Sequence, residues 1–218
     1  MTDVMALDIE TSNCSYEIGG WGNTHMFEPT VVATYNGNDC TVFCNHDIDI
    51  DADVRPLHPR DVGEHIMQHI QNGGAIVGHN ILRFDLPVLR DGLDCHAAGE
   101  VLRKHKDSII DTSNHLRKAT TDIGTQFFVR LGDVCKHTLD EGKLMDSSDA
   151  PKEWRQGNYE SVAKYCLDDA RLNYNLWTHG CEHGFVKTRS RWTGDIINME
   201  VDWKWAKGET QTHSKHSN

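Results

Sequence analysis

The sequence predicts an α/β layer fold. Three observations carry that prediction: an apolar run opens the chain at Val4 to Ile9, strand signals then alternate with helical signals, and the longest helical pattern comes late, from Tyr159 onward. Strands alternating with helices bury their apolar faces only if the helices cover a sheet.

The elements follow in order. Val4 to Ile9 reads as a strand, and Val31 to Tyr35 and Cys40 to Cys44 read as a hairpin across the turn signal Asn36-Gly37-Asn38-Asp39. The acids of Asp47 to Asp53 precede two prolines and fit a solvated edge better than a calcium loop. From Asp61, Val62, Ile66 and Ile70 recur at helical spacing until Gly73-Gly74, and Ala75 to Gly78 reads as a short buried strand. A helix is predicted over Phe84 to Arg90 with Gly92 as its stop, then a strand through Ser108 to Ile110 and a helix after Asp111-Thr112. Asp111 reads as the cap of that helix. Beyond Thr125 to Val129, helices are predicted at Leu131 to Leu139 and from Tyr159 to about His179, with a closing hairpin of Phe185 to Thr188 and Ile196 to Val201.

With 218 residues, 38% of them hydrophobic, the chain suits one ordinary domain and is short for two. One domain is expected over 1–207, followed by a polar tail over 208–218. No run approaches the roughly 18 apolar residues of a membrane helix, and Met1 to Glu10 carries acids where a signal peptide carries bases. A cytoplasmic protein with no membrane partner is expected. The seven cysteines are scattered without a C-x-x-C pair, which fits reduced thiols rather than a disulfide framework or a zinc knuckle. A net charge of −11 argues against coating nucleic acid through a broad basic surface, but not against gripping a strand end through metal ions. Bases gather late, at Lys187, Arg189, Arg191, Lys204 and Lys207, where contact with phosphates competes with a plain solvated face.

Three fragments carry chemistry. Asp8 and Glu10 stand two apart at the end of an apolar strand, so both carboxylates leave one face of the sheet and repel unless a cation lies between them. In Val77 to Pro87 a strand runs through a polar turn into a helix whose first turn presents Asp85; a dipole-favoured cap is the plainer alternative, and His79 fits a packed histidine better than a ligand. In Tyr165 to Arg171, Tyr165 and Asp169 are four apart and share a face of the long helix. That helix places Asp169 on its buried side, where an acid needs a partner.

Together these fragments resemble the Exo I, Exo II and Exo III motifs of the DnaQ-like DEDD exonucleases. The tyrosine four residues before the last acid is similar to the DEDDy subgroup; the histidine subgroup would place its histidine where Lys164 stands. The stretch Gly132 to Leu139, then Lys143, Trp154 and Gly157, and the closing Val201-Asp202-Trp203, further resemble the YprB-like branch. Asp168 adjoins Asp169, and the spacing from Tyr165 selects Asp169.

The resemblance implies a ribonuclease H-like fold, a five- or six-stranded mixed sheet flanked by helices, and a metal-dependent 3′-5′ exonuclease hydrolysing terminal phosphodiester bonds of DNA or RNA. Two Mg2+ or Mn2+ ions about 4 Å apart would serve the in-line attack. By that resemblance Asp8, Glu10 and Asp169 would hold one ion, Asp8 and Asp85 the other, and Tyr165 would position the nucleophile. Ile9, Asn80 and Phe84 would contact the terminal nucleotide. The implied partners are single-stranded nucleic acid 3′ ends, with a polymerase or helicase as a further candidate. A ribonuclease H-like endonuclease and a catalytically weak nucleic-acid-binding module are the alternatives.

Overall fold

Strand β1 (Val4–Thr11) lies inside the sheet, and its two faces go to different cores. Val4 and Ala6 join one buried cluster, while Met5, Leu7 and Ile9 join another on the opposite side. A strand covered on both faces reads as continuously apolar, which is why Val4 to Ile9 carries no alternation. The structure, a computed structural model, describes residues 3–123 and 127–203. The tail expected over 208–218, and Lys204 and Lys207, lie outside the described residues.

Strand β2 (Pro29–Tyr35) runs antiparallel to β1, and β3 (Cys40–Cys44) runs antiparallel to β2. The turn between them is held by Asn36, whose Oδ1 accepts the backbone N–H groups of Asn38 at 3.0 Å and Asp39 at 2.8 Å. Strand β4 (Asp53–Arg55) lies parallel to β3 as an exposed outer edge, the solvated edge read from the acid-rich stretch. On the other flank β5 (Ala75–Gly78) runs parallel to β1, and β6 (Ile109–Asp111) parallel to β5. The result is a six-stranded mixed sheet of order β4-β3-β2-β1-β5-β6.

Helices α1 (Pro59–Gln71), α2 (Asp85–Asp91) and α3 (His96–Lys104) cover the face that receives Met5, Leu7 and Ile9, through Val62, Ile66, Leu86, Leu89 and Val101. The sequence reading has no helix at α3, whose apolar pattern is broken by Gly99, and none at the six-residue α6 (Ala150–Arg155). The opposite face is covered by α4 (Thr112–Ile123), α5 (Leu131–Thr138), α6 and the 25-residue α7 (Tyr159–His183). Helix α7 runs beyond the predicted His179 to a left-handed cap at Gly184, φ 76°. Gly180 lets the end of the described chain pack against α7, because a Cβ there would overlap the Trp203 ring. The closing hairpin, β7 (Phe185–Arg189) and β8 (Ile196–Glu200), forms a separate two-stranded sheet. Among the described residues no helix is long and apolar enough to cross a membrane.

Asp111 fixes the turn between β5 and α2. As the sequence suggests, it caps α4: Oδ1 accepts the Asn114 N–H at 2.9 Å. The same carboxylate also accepts the N–H groups of Asn80 and Leu82, each at 3.1 Å. Asn80 sits at φ 76°, a left-handed conformation that asparagine tolerates better than most residues. The turn that leads into Asp85 is therefore tied to the neighbouring strand by one buried acid.

Asp111→Ala removes all three acceptances. A cap is worth about 0.5–2 kcal/mol and a hydrogen bond to a charged group about 1.5–3 kcal/mol, so a loss of roughly 2–4 kcal/mol is expected, read as a lower denaturant midpoint at unchanged slope. A midpoint equal to wild type would show that the turn holds its shape without Asp111.

Candidate metal centre

The face of β1 that carries Val4 and Ala6 continues with Asp8 and Glu10, so the strand delivers two acids toward α7. Helix α7 answers with Asp169, one turn beyond Tyr165. Carboxylate oxygens of Asp8, Glu10 and Asp169 all lie within 4.8 Å of one another. Asp8 is half-buried, while Glu10 and Asp169 are 8% and 2% exposed. Asp85, 4% exposed, enters the same cleft from the first turn of α2 but stands outside that group of three.

Such a cluster is costly. Two unit charges 4 Å apart repel by roughly 4 kcal/mol at an effective dielectric of 20. Burial pushes Asp8 well above the ordinary carboxylate range, and repulsion from Asp169, Asp85 and Glu10 adds to it. Burial and then Asp169 raise Glu10 likewise. Asp85 is pushed up to about 7, mainly by burial. Asp169 is also raised by burial, although Lys143 and Tyr165 pull it down.

Lys143 is the cation inside the cluster. Its Nζ donates to Asp169 Oδ2 and, at 3.0 Å, to Tyr165 Oη. Burial alone would lower the ammonium, but Asp169, Asp8 and Glu10 outweigh it and hold Lys143 above its usual value. It stays charged, and supplies the partner that a buried Asp169 requires. One ammonium does not balance four ionised carboxylates, so ionising all of them calls for a further cation. Asp169 Oδ1 is buried without a hydrogen-bond partner, a rare condition for a carboxylate oxygen.

The donor set fits a hard divalent cation. All the candidate ligand atoms are carboxylate oxygens, which suit Mg2+ or Mn2+ rather than a thiophilic metal, and one oxygen of Asp169 is buried with no other partner. Asp8, Glu10 and Asp169 could hold one ion. Cys166 supports Asp8 from behind, its thiol donating to Asp8 Oδ2 at 3.6 Å and to the Asp8 carbonyl at 3.5 Å. Burial and the acids raise that thiol well above its ordinary value, so it stays a neutral donor.

Tyr165 is fully buried as a side chain and reaches the cluster through its hydroxyl. Burial, then Asp169, Glu10 and Asp8, raise the phenol far above its usual range. It can donate a hydrogen bond but cannot act as a phenolate base. No protein-family model and no curated protein matches the chain. The centre is read from its own chemistry.

The remaining predicted contacts all border the same cleft of about 270 Å3: Ile9 on β1, Asn80 at the turn and Phe84 before α2. Asn80 Oδ1 accepts from Arg117 at 3.2 Å. Phe84 belongs to an aromatic group with Phe27 at 5.2 Å and Trp21 at 5.3 Å between ring centroids. Trp21 and Tyr16, 65% and 71% exposed, stand on the cleft rim. His79 is packed, with Nε2 donating to the Val129 carbonyl at 2.6 Å and Nδ1 2.9 Å from Thr112 Oγ1; burial lowers it to about 4 and keeps it neutral. A larger cleft of about 940 Å3 opens beside the β2–β3 turn, but its acids, Asp39, Asp51 and Asp53, are exposed and form no cluster.

Raised carboxylates bind protons more tightly when folded than when unfolded, so they cost stability as pH climbs from the unfolded value toward about 7 for Asp85. A divalent cation must displace those protons. Saturating Mg2+ or Mn2+ is expected to raise the melting temperature by about 5–10 °C, the scale for ligand near 100 times Kd in a chain of this size, and the gain should grow from acid pH toward neutrality. Lys143→Met removes the competing ammonium, so it should melt earlier in EDTA and gain more from the cation. A pH-independent gain, or an equal gain in both proteins, would show that the cation binds elsewhere.

Proposed function

We propose that the chain is a metal-dependent 3′-5′ exonuclease of the DnaQ-like type with a ribonuclease H-like fold, hydrolysing terminal phosphodiester bonds of DNA or RNA. The observation that carries the reading is the meeting of Asp8, Glu10 and Asp169, with an orphaned carboxylate oxygen, beside the hydroxyl of Tyr165. The order of the mixed sheet, with β1 inside it and helices on both faces, supports the fold assignment.

Asp8, Glu10 and Asp169 would hold one ion and Asp8 with Asp85 a second. Bound there, the ions would lower the pKa of an attacking water and neutralise charge on the phosphate and the leaving 3′-oxygen. The chain's own groups do the rest. Lys143 donates to Tyr165 Oη, which turns the phenolic O–H away from the ammonium and lets it donate toward Asp169 or an attacking oxygen. Phe84, Trp21 and Tyr16 offer ring faces to a base, an interaction worth about 1–3 kcal/mol and tolerant of base identity. A cleft of about 270 Å3 has room for one nucleotide and not for a duplex. That favours a strand end over an internal bond.

The test is cleavage of 5′-labelled single-stranded DNA and RNA with Mg2+, Mn2+ or EDTA, where a descending ladder is expected with metal only. Asp8→Ala should fold and lose hydrolysis, because both ions depend on it; near-normal turnover in the folded variant would remove the site assignment. Tyr165→Phe keeps the ring and removes one donor, so single-turnover cleavage should fall about 10- to 1000-fold with little change in substrate affinity. Equal rates at equal melting temperature would make Tyr165 a packing residue.

A further inference from the structure

Arg189 ends β7 and Arg191 follows in the turn toward β8. Their guanidinium carbons lie 4.7 Å and 5.0 Å from the centroid of one ring, Phe128. The ring is fixed at both sides of its own backbone: the Phe128 N–H donates to the Arg189 carbonyl at 3.0 Å, and Thr188 Oγ1 donates to the Phe128 carbonyl. Arg191 Nε is anchored on the Phe127 carbonyl at 3.2 Å. Among the described residues neither guanidinium belongs to an ion pair.

Two like charges held together on one ring repel each other, and the ring's quadrupole repays only part of that, about 0.5–1 kcal/mol for each exposed cation. The pair gains most from a shared anion. In a chain with 33 acids and 22 bases, an unneutralised arginine pair is a local exception to the overall charge. Its surroundings are not purely ionic. Trp192, the next residue, is 74% exposed, and Ile196, paired across from Arg189, is 55% exposed. Cations beside an open aromatic ring match a chain of phosphates and bases better than an acidic peptide, which offers carboxylates and no planar rings.

The patch is also next to the acid cleft. Val129, adjacent to Phe128, accepts the His79 bond, and His79 borders the cleft. An extended chain advances about 3.3 Å per residue, so the platform begins close to the cleft wall.

We propose that Arg189 and Arg191, clamped on Phe128, bind phosphates of the single strand behind the reacting end, with Trp192 stacking on one of its bases. This rests on the exonuclease reading above. The arginines set the strand's path out of the cleft and supply cations that the acidic body lacks.

The experiment measures binding of fluorescein-labelled single-stranded oligonucleotides across a salt series, alongside cleavage of the same strands. Arg189→Gln with Arg191→Gln should weaken binding about tenfold or more and lower the salt slope by about 1.4, since each phosphate contact on a single strand contributes about 0.7. Arg189→Lys with Arg191→Lys should keep the slope. Trp192→Ala should weaken binding about fivefold or more, the scale for one lost stack, at unchanged slope. Melting temperatures check that each variant folds. Cleavage by wild type with a slope unaltered in the glutamine pair would overturn the track and leave the exonuclease reading intact. Strong strand binding that the glutamine pair weakens, without cleavage, would support the track and overturn the exonuclease reading. Failure of wild type both to bind and to cut would overturn both, as would stronger competition by polyglutamate than by an unlabelled strand for the track itself.

Discussion

The mutual repulsion of three carboxylates, two buried and one half-buried, is the constraint around which the rest of the molecule is arranged. Asp8 and Glu10 share one face of β1, but Asp169 comes from a helix far away in sequence, and nothing in local structure draws it to them. Packing does: β1 and α7 bury apolar faces against each other, and their acids are carried into contact by residues that gain free energy elsewhere in the same cluster. At about 25 cal/mol per Å2 of apolar area, such packing readily offsets a local electrostatic cost of a few kcal/mol. The cost would be recovered as affinity for a cation that enters.

Lys143 makes that arrangement tolerable and also limits it. Its ammonium relieves Asp169 and Tyr165 directly, yet reaches one oxygen of Asp169 and leaves the other without a partner. A fully neutralised centre would have no appetite for a divalent cation, and a centre with no internal cation would carry the whole repulsion. Around this core, supporting groups fix where the acids stand, one of them a neutral thiol and the other a further buried acid whose charge adds to the rise of Asp85. Cys166 donates to Asp8 as a neutral thiol, and Asp111 holds the turn before Asp85 through backbone N–H groups. Both set where the acids stand, and Asp111 also holds the backbone of Asn80 on the cleft wall.

Much of this was legible in the sequence because it follows from periodicity. The apolar run before Asp8, the turn at Asn36 to Asp39, the helical spacing of Val62, Ile66 and Ile70, and the four-residue interval from Tyr165 to Asp169 are local patterns with one structural solution each. Helices α3 and α6 were not, because one is interrupted by Gly99 and the other is a single short turn and a half between loops. Lys143 as a member of the centre was not legible from spacing either. It sits in an irregular segment between α5 and α6, where no period orients a side chain. The available signal was electrostatic: a buried Asp169 needed a cation, and no base lies three or four residues away from it on α7. Asp111 illustrates the opposite case, a cap readable from the chain whose second task, holding a turn on a neighbouring strand, exists only in three dimensions.

The charge of the whole chain gives the centre its final physical meaning. A net charge of −11 repels a polyanion at distances beyond the local contacts, so a strand cannot be gathered by a broad basic field. Attraction must come from a few placed cations, each acting at close range. On the proposed reading those include Lys143 in the cleft, Arg117 on Asn80 at its wall and Arg189 with Arg191 nearby, together with any divalent ion the acids would hold. On the proposed function, such a layout would tie substrate capture to metal loading. Without a cation the acids of the cleft would oppose a phosphate; with one, the same acids would become the means of holding it. Raising ionic strength would then act in two directions, screening the long-range repulsion while weakening the arginine contacts. The outcome is set by the balance between the many dispersed acids and the few bases placed at and beside the cleft.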